Sequence, residues 1–354
     1  MEESYPMTGG DGQFSYAKNS NPQGRAADNV KALLVGTIAE NLEIEHICRE
    51  STIFRIADLG CSVGPNTYIA VNNIIEVVAQ KCQSKGHASL PDFQVFFNDH
   101  VSNDFNLLFA NLPPERQYFA VGVPGSFHTR LFPKASINFF YSAYALQWLS
   151  KAPAELGDQL NSTSCNKGRI YYSNAPNEVG QAYSAQYAKD IGSFLCARAE
   201  ELAPGGLMTI LIPGRNDGTI LAQSSMGPHF EYLESSLLDM AKEGIISKDR
   251  IDSFNLPIYS PSMAELRTLI QENGCFEIVR LDGQPQEYPT ITAMECRAGL
   301  EGIFSKHFGS ENMDPLFNRY ARIIDERPLI SAAADGYTYS MGFFVLLKRK
   351  KLEE

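Results

Sequence analysis

At 354 residues the chain can bury a large core, as one elaborated domain or a domain with a cap. A formal net charge of −11 and a sequence pI of about 5.1 argue against a nucleic-acid partner. No apolar run approaches the roughly 20 residues of a membrane span, Met1-Glu2-Glu3 opens no signal peptide, and seven cysteines without a Cys-x-x-Cys pair suit a reducing, cytoplasmic setting without zinc.

Residues 1–22 are polar and glycine-rich, the usual composition of a frayed terminus. Yet Tyr16, Ser20 and Gln23 lead straight into a helix marked by Val30, Leu33, Leu34, Ile38 and Leu42, so an ordered arm folding over a ligand is the competing reading. Phe54-Arg55-Ile56-Ala57 reads as a buried strand, and Tyr68 to Cys82 carries Ile69, Ile74, Ile75, Val77 and Val78 at helical spacing. Between them, the glycines of Asp58-Leu59-Gly60-Cys61-Ser62-Val63-Gly64 let backbone approach a ligand, and the helix N-terminus favours negative charge. The Gly-x-x-x-Gly spacing is neither the dinucleotide fingerprint nor a phosphate loop. An acid two places before the first glycine is how class I methyltransferases hold S-adenosylmethionine; an ordinary strand-to-helix turn is the alternative.

A second strand over 93–97 ends at Asn98-Asp99, where an acid is placed to accept from ribose hydroxyls. Asn103-Asp104-Phe105-Asn106 opens another helix. After the strand 118–123, the loop Pro124-Gly125-Ser126-Phe127 offers an aromatic to an adenine, or is a plain turn. Ile137-Asn138-Phe139-Phe140 is a fourth strand. If 141–149 is helical, Tyr144, Gln147 and Trp148 share one face. They then form either an aromatic binding wall or a core helix. The Asn161-Ser162-Thr163 sequon reads as accidental. A strand over 169–172, a helix over 182–203 stopped by Pro204-Gly205-Gly206, and a strand over 207–212 complete the alternation of a doubly wound, mostly parallel α/β sheet. From Pro213 to about Asp335 the pattern lapses into helices and loops, a cap interrupted by the strand 276–279. A last strand, from Tyr339 to Lys348, returns antiparallel. The divisions are an arm (1–22), an α/β domain (23–212), a cap (213–335) and a C-terminal strand (336–354).

These residues resemble the plant SABATH methyltransferases, essentially end to end. The landmarks are Ser15-Tyr16-Ala17 with Asn19-Ser20, Asp58-Leu59-Gly60-Cys61 through Gly64-Pro65-Asn66, Asn98-Asp99, Gly122-Val123-Pro124-Gly125-Ser126-Phe127, Gln147-Trp148-Leu149-Ser150, Asn166-Lys167-Gly168 and Asp252-Ser253-Phe254-Asn255-Leu256-Pro257. The family methylates carboxyl groups of small acids and, in one branch, purine ring nitrogens. The resemblance implies a class I, Rossmann-like sheet with a helical cap, S-adenosylmethionine as cofactor, a small carboxylic acid as substrate, and a homodimer. It implies cofactor contacts at Tyr16, Ser20, Asp58, Cys61, Asn66, Asp99, His100, Ser126 and Phe127. It implies that Gln23 and Trp148 grip the carboxylate, with Tyr16, Tyr144 and Gln147 beside it. It also implies magnesium at Asn166, Asp252, Phe254 and Asn255, although one carboxylate, two amides and a main-chain oxygen are thin coordination and a structural turn is the competing use.

An acid with pKa ~4 is already ionised at neutral pH, so the transfer needs no general base. The protein has only to hold a carboxylate oxygen in line with the methyl–sulfur bond and exclude water. Alignment to the family puts His229-Phe230 where salicylate-type members carry an aliphatic residue and tryptophan, and Cys296 and Gly299 where they carry larger apolar residues. That implies a roomier, more polar pocket, with His229 holding the distal polar end of an acid larger than benzoate. The nearest pattern is that of members acting on bulky acids such as the iridoid loganic acid, except that Ile258 stands where a polar residue is expected. Glutamine at position 147 occurs in purine methylators and in some acid methylators. Xanthine N-methylation and a cofactor-binding protein without turnover therefore stay open.

Overall fold

The computed structural model describes residues 5–44, 53–86, 89–156, 166–219, 226–286, 291–327 and 340–351. Met1-Glu2-Glu3, the 161–163 sequon and Tyr339 lie outside them. The strands are β1 (Ile53–Leu59), β2 (Asp92–Asp99), β3 (Phe119–Pro124), β4 (Ile137–Ala143), β5 (Leu202–Gly214), β6 (Phe276–Gln286) and β7 (Ser340–Arg349). They form one sheet in the order β3-β2-β1-β4-β5-β7-β6. All pairs from β3 to β5 are parallel, and β7 runs antiparallel to both β5 and β6. The chain leaves β1 toward β2 and β3, then returns to β4 on its other side. The strand order thus reverses at β1, and a ligand crevice opens beyond the carboxyl ends at such a switch point.

Strand side chains alternate between two covered faces, which is why these strands read as continuous apolar runs. Phe54, Ile56, Phe93, Val95 and Phe97 pack with the helices α1 (Asn21–Asn29), α2 (Lys31–Asn41) and α3 (Pro65–Ser84). Ala57, Phe140, Met208 and Ile210 face the long helix α5 (Asn177–Glu201), which buries Tyr183, Tyr187, Ile191, Phe194 and Leu195. Between them in sequence, α4 (Phe105–Ala110) starts at Asp104, whose side chain accepts from Leu107 N–H. The later helices are α6 (Gly227–Lys242), α7 (Lys248–Asp252), α8 (Met263–Asn273), α9 (Ala293–Phe308) and α10 (Met313–Glu326). Among the described residues no helix is long and apolar enough to cross a membrane.

Two predicted elements are absent. Residues 169–172 form turns rather than a strand: Ile170 N–H donates to Glu234 and its carbonyl accepts from Leu256 N–H, so this backbone is satisfied away from any sheet. Residues 141–149 are not a helix. β4 runs on to Ala143, and Tyr144 turns the chain at φ +53°. The helix expected over 182–203 spans Asn177–Glu201, and β5 already begins at Leu202, ahead of the glycine pair.

Among the described residues the N-terminal arm, from Tyr5 onward, is docked on the rest of the chain. Thr8 N–H donates to Ala298 O at 2.9 Å, the Arg297 guanidinium lies 3.8 Å from the Phe14 ring centroid, and Tyr5 stacks on Trp148 at 6.1 Å. The arm is therefore tied to α9 and closes over the switch point.

Candidate active site

Two cavities meet beneath the arm. The smaller, about 50 Å³, is built on the β1–α3 corner and lined by Tyr16, Ser20, Asp58, Gly60, Cys61 and Asn66, among others. Gly60 has φ +81° and an added Cβ would lie 2.3 Å from Ala145 Cβ, while one on Gly64 would lie 3.1 Å from Ala17 Cα. This cradle depends on missing side chains. Gly60 and Cys61 N–H groups both donate to Asn98 O, which fixes the turn against the end of β2. Asp58 accepts from Thr67 Oγ at 2.5 Å. Burial pushes its carboxyl up to about 7, against the Thr67 hydrogen bond and with the neighbouring Asp99 charge adding.

Asp99, at the end of β2, accepts from Ser62 N–H at 2.7 Å and His100 N–H at 2.8 Å, and its pKa is raised chiefly by burial. Of the residues expected to contact the cofactor, Asp99, His100, Ser126 and Phe127 do not line the small cavity. Asp99 holds Ser62, and the Phe127 ring lies 3.6 Å from where a Gly60 Cβ would sit. Asn66 reaches back to the arm, donating to Ser20 O at 3.0 Å.

The larger cavity, about 160 Å³, is lined by Met7, Tyr16, Gln23, Tyr144, Gln147, Trp148, His229, Phe230, Ile258, Ser260, Cys296 and Gly299, among others. Tyr16, Gln23 and Tyr144 line both cavities. Gln147 and Trp148 share a wall with Tyr144 as expected, but a turn places them there: Trp148 pairs antiparallel with Ile258, and Tyr259 N–H donates to Gln147 O. Asp190 of α5 holds Ser150, two residues beyond Trp148, accepting from its N–H and Oγ. No lysine or arginine lines this cavity among the described residues, and its one carboxylate, Glu295, caps α9 by accepting from Thr292. His229 does not cap α6, whose N-cap is Met226; its Nδ1 lies 2.8 Å from Tyr320 OH. The Cys296 thiol bonds the same hydroxyl, and burial pushes its pKa up to about 12.

Met7 and Ser260 on the cavity wall, and Tyr5 against Trp148, are among the contributors that sequence reading missed. Ser260 lies three residues beyond the Asp252–Pro257 landmark, but nothing local marks it as facing the cavity.

The residues expected to hold magnesium do not suit the ion. Asp252 accepts from Gly168 N–H at 2.7 Å, and Asn166 Nδ2 donates to Asn255 Oδ1 and Tyr171 O, both at 3.0 Å. The Phe254 ring packs on Phe304 and Phe308. Among the side-chain atoms of this group, only Asn166 Oδ1 is buried without a partner, and a hard dication takes six or more oxygens. The group is a turn tied to α7.

The sequence matches the SAM-dependent carboxyl methyltransferase family over residues 2–350. It is 45% identical to loganic acid O-methyltransferase of Catharanthus roseus across 92% of this chain and 89% of that protein. It is 37% identical to farnesoic acid carboxyl-O-methyltransferase of Arabidopsis thaliana across 99% of this chain and 100% of that protein. The fold superposes on a loganic acid methyltransferase solved with SAH at a TM-score of 0.92, with 43% identity over 98% of this chain and 99% of that one. The switch-point corner, the arm and the two adjoining cavities are those of a chain that belongs to the SAM-dependent carboxyl methyltransferase family.

Proposed function

We propose that the chain esterifies a small carboxylic acid, with the carboxylate held by Gln23 and Trp148. The observation that carries this reading is the wall shared by Tyr16, Gln23 and Tyr144, which sets the two cavities side by side. Asp58, Ser20, Cys61 and Asn66 hold S-adenosylmethionine in the glycine cradle, and the bound cofactor supplies an electrophilic methyl on a sulfonium. Gln23 and Trp148 orient the anion by neutral N–H donors, so no proton moves. The arm, with Met7 on the cavity and Tyr5 on Trp148, excludes water.

Relatives act on loganic, farnesoic and indole-3-acetic acids by name. A cavity of about 160 Å³ is close to the roughly 150 Å³ that accepts one benzene ring. An acid larger than benzoate, as the alignment implies, would displace Met7 of the arm, which lines the cavity. His229, anchored by Tyr320, lines the same cavity as Gln23 and in this reading holds the distal polar end of the acid. The homodimer implied by the family resemblance and the cytoplasmic setting read from the cysteines are part of this proposal, and light scattering of the purified chain checks the dimer.

Trp148→Phe keeps the aromatic wall and removes the N–H. Catalytic efficiency should drop by about 1.5–3 kcal/mol of transition-state stabilisation, roughly tenfold to hundredfold. A variant with wild-type efficiency removes the indole N–H from the reaction.

Asp58 gives a pH signature. An unfolded aspartate titrates near 4, so between about 4 and 7 the folded, ligand-free chain binds the extra proton. Its contribution to stability is full below 4 and is lost as pH rises to 7. A cationic ligand must displace that proton. Calorimetry between pH 5.5 and 7 should find S-adenosylmethionine bound about tenfold more tightly at the higher pH, with proton release at the lower. Asp58→Asn should flatten the slope, leaving only what Asp99, whose pKa burial also raises, contributes; an unchanged slope assigns the effect elsewhere.

A further inference from the structure

Among the described residues, three polar atoms on the wall of the larger cavity are buried without a hydrogen-bond partner: Gln23 Oε1, Gln147 Oε1 and Ser260 Oγ. Buried polar atoms are ordinarily paired, so a ligand is the expected source of their partners. An ionised carboxylate brings acceptors only and leaves both amide oxygens, Gln23 Oε1 and Gln147 Oε1, without a donor.

The orientation of the Gln147 amide follows from its surroundings. Its Nε2 donates to Tyr144 O at 2.7 Å, and a carbonyl can only accept, so the amide nitrogen must face Tyr144 and the oxygen must face away. Ser260 is fully buried, and its backbone is fixed by an N–H bond to Tyr172 OH at 3.2 Å. The bond from Tyr259 N–H to Gln147 O, at 2.8 Å, places the two residues on adjoining stretches of backbone. The neighbouring lining residues Ile258 and Phe230 are apolar.

We propose that Gln147 Oε1 and Ser260 Oγ form a specificity contact for a hydroxyl group of the substrate, so that the enzyme selects hydroxylated carboxylic acids over their deoxy counterparts. The inference rests on the carboxyl-methylation reading. One substrate hydroxyl satisfies both atoms: its proton goes to Gln147 Oε1, and its oxygen accepts from the Ser260 hydroxyl. A deoxy acid leaves both unpaired in a buried wall. Sites built to hydrogen-bond a substrate hydroxyl discriminate far more strongly than apolar pockets do. Ser260 also supplies polarity two residues beyond Ile258, where the aliphatic side chain offers none.

The test is methyl transfer to cyclohexanecarboxylate and to its 3- and 4-hydroxy isomers, with wild type, Ser260→Ala and Gln147→Met. In the wild type at least one hydroxy acid should exceed the parent in kcat/KM by about tenfold or more, chiefly through KM. Ser260→Ala should shrink that ratio about threefold to tenfold, and Gln147→Met should shrink it too. A residue with a merely structural role lowers both activities together and leaves the ratio alone. Equal efficiency for hydroxy and deoxy acids in the wild type, or a ratio that neither variant changes, overturns the inference while leaving carboxyl methylation intact. If no acid is methylated, the carboxyl-methylation reading fails and this inference with it.

Discussion

Arg198→Met should lower the stability of the folded chain by about 3–5 kcal/mol, the usual cost of breaking a buried ion pair from one side. Arg198 and Glu201 are both fully buried, 2.7 Å apart, at the C-terminal end of α5. The guanidinium also donates to Phe127 O at 2.6 Å and Thr129 O at 2.9 Å. Glu201 accepts from Leu131 and Phe132 N–H groups. The pair thus clasps the whole loop after β3. Methionine fills much of the volume but leaves two carbonyls without donors and a carboxylate without its counter-charge. For a chain of this length the loss corresponds to roughly 4–7 °C in melting temperature. Calorimetric melting checks it, and Arg198→Met with Glu201→Gln should recover part of the loss. A shift below about 2 °C would mean that the pair contributes little. Since the same loop carries Ser126 and Phe127, affinity for S-adenosylhomocysteine should fall in the variant as well.

Gly60→Ala should damage both stability and cofactor binding. At φ +81° an alanine carries about 1–2 kcal/mol of backbone strain. Its methyl would stand 2.3 Å from Ala145 Cβ, which has no flexible end to yield, so overpacking adds about 1–3 kcal/mol. Relief requires moving either the Gly60–Ser62 turn, which lines the cofactor cavity, or the turn leading to Gln147 and Trp148. Cofactor affinity should therefore fall about tenfold or more alongside a lowered melting temperature. Gly36→Ala is the control: it lies in α2 with nothing within 4 Å of an added Cβ and should gain up to about 1 kcal/mol. If Gly60→Ala behaves like Gly36→Ala, the cradle is not set by backbone approach.

The sheet and its glycine corner were legible because strand burial and helical periodicity are local signals. The 54–57 strand, the 68–82 helix and the antiparallel return all appear, with bounds shifted by a few residues. The misreadings share one cause. At 141–149 and 169–172 the apolar pattern records burial, but the backbone is held by distant groups, Ile258 and Tyr259 in the first case and Glu234 and Leu256 in the second. Local spacing carries no trace of such partners. The same limit hid Tyr5, Met7 and Ser260, which reach the site only because the arm docks on α9 and the 255–261 stretch docks on the 144–149 turn. At Tyr144, Gln147 and Trp148 the right residues were expected together on a helical premise, and a turn brings them together instead.

The most direct measurement is the fate of the transferred methyl. Labelled S-adenosylmethionine is offered with ring-sized free acids and with xanthines, and each labelled product is isolated and treated with alkali. Transfer to a carboxylate oxygen gives an ester, so the label should appear with the acids and be released as methanol. Label that survives alkali on a xanthine nitrogen, with every acid refused, would contradict the account.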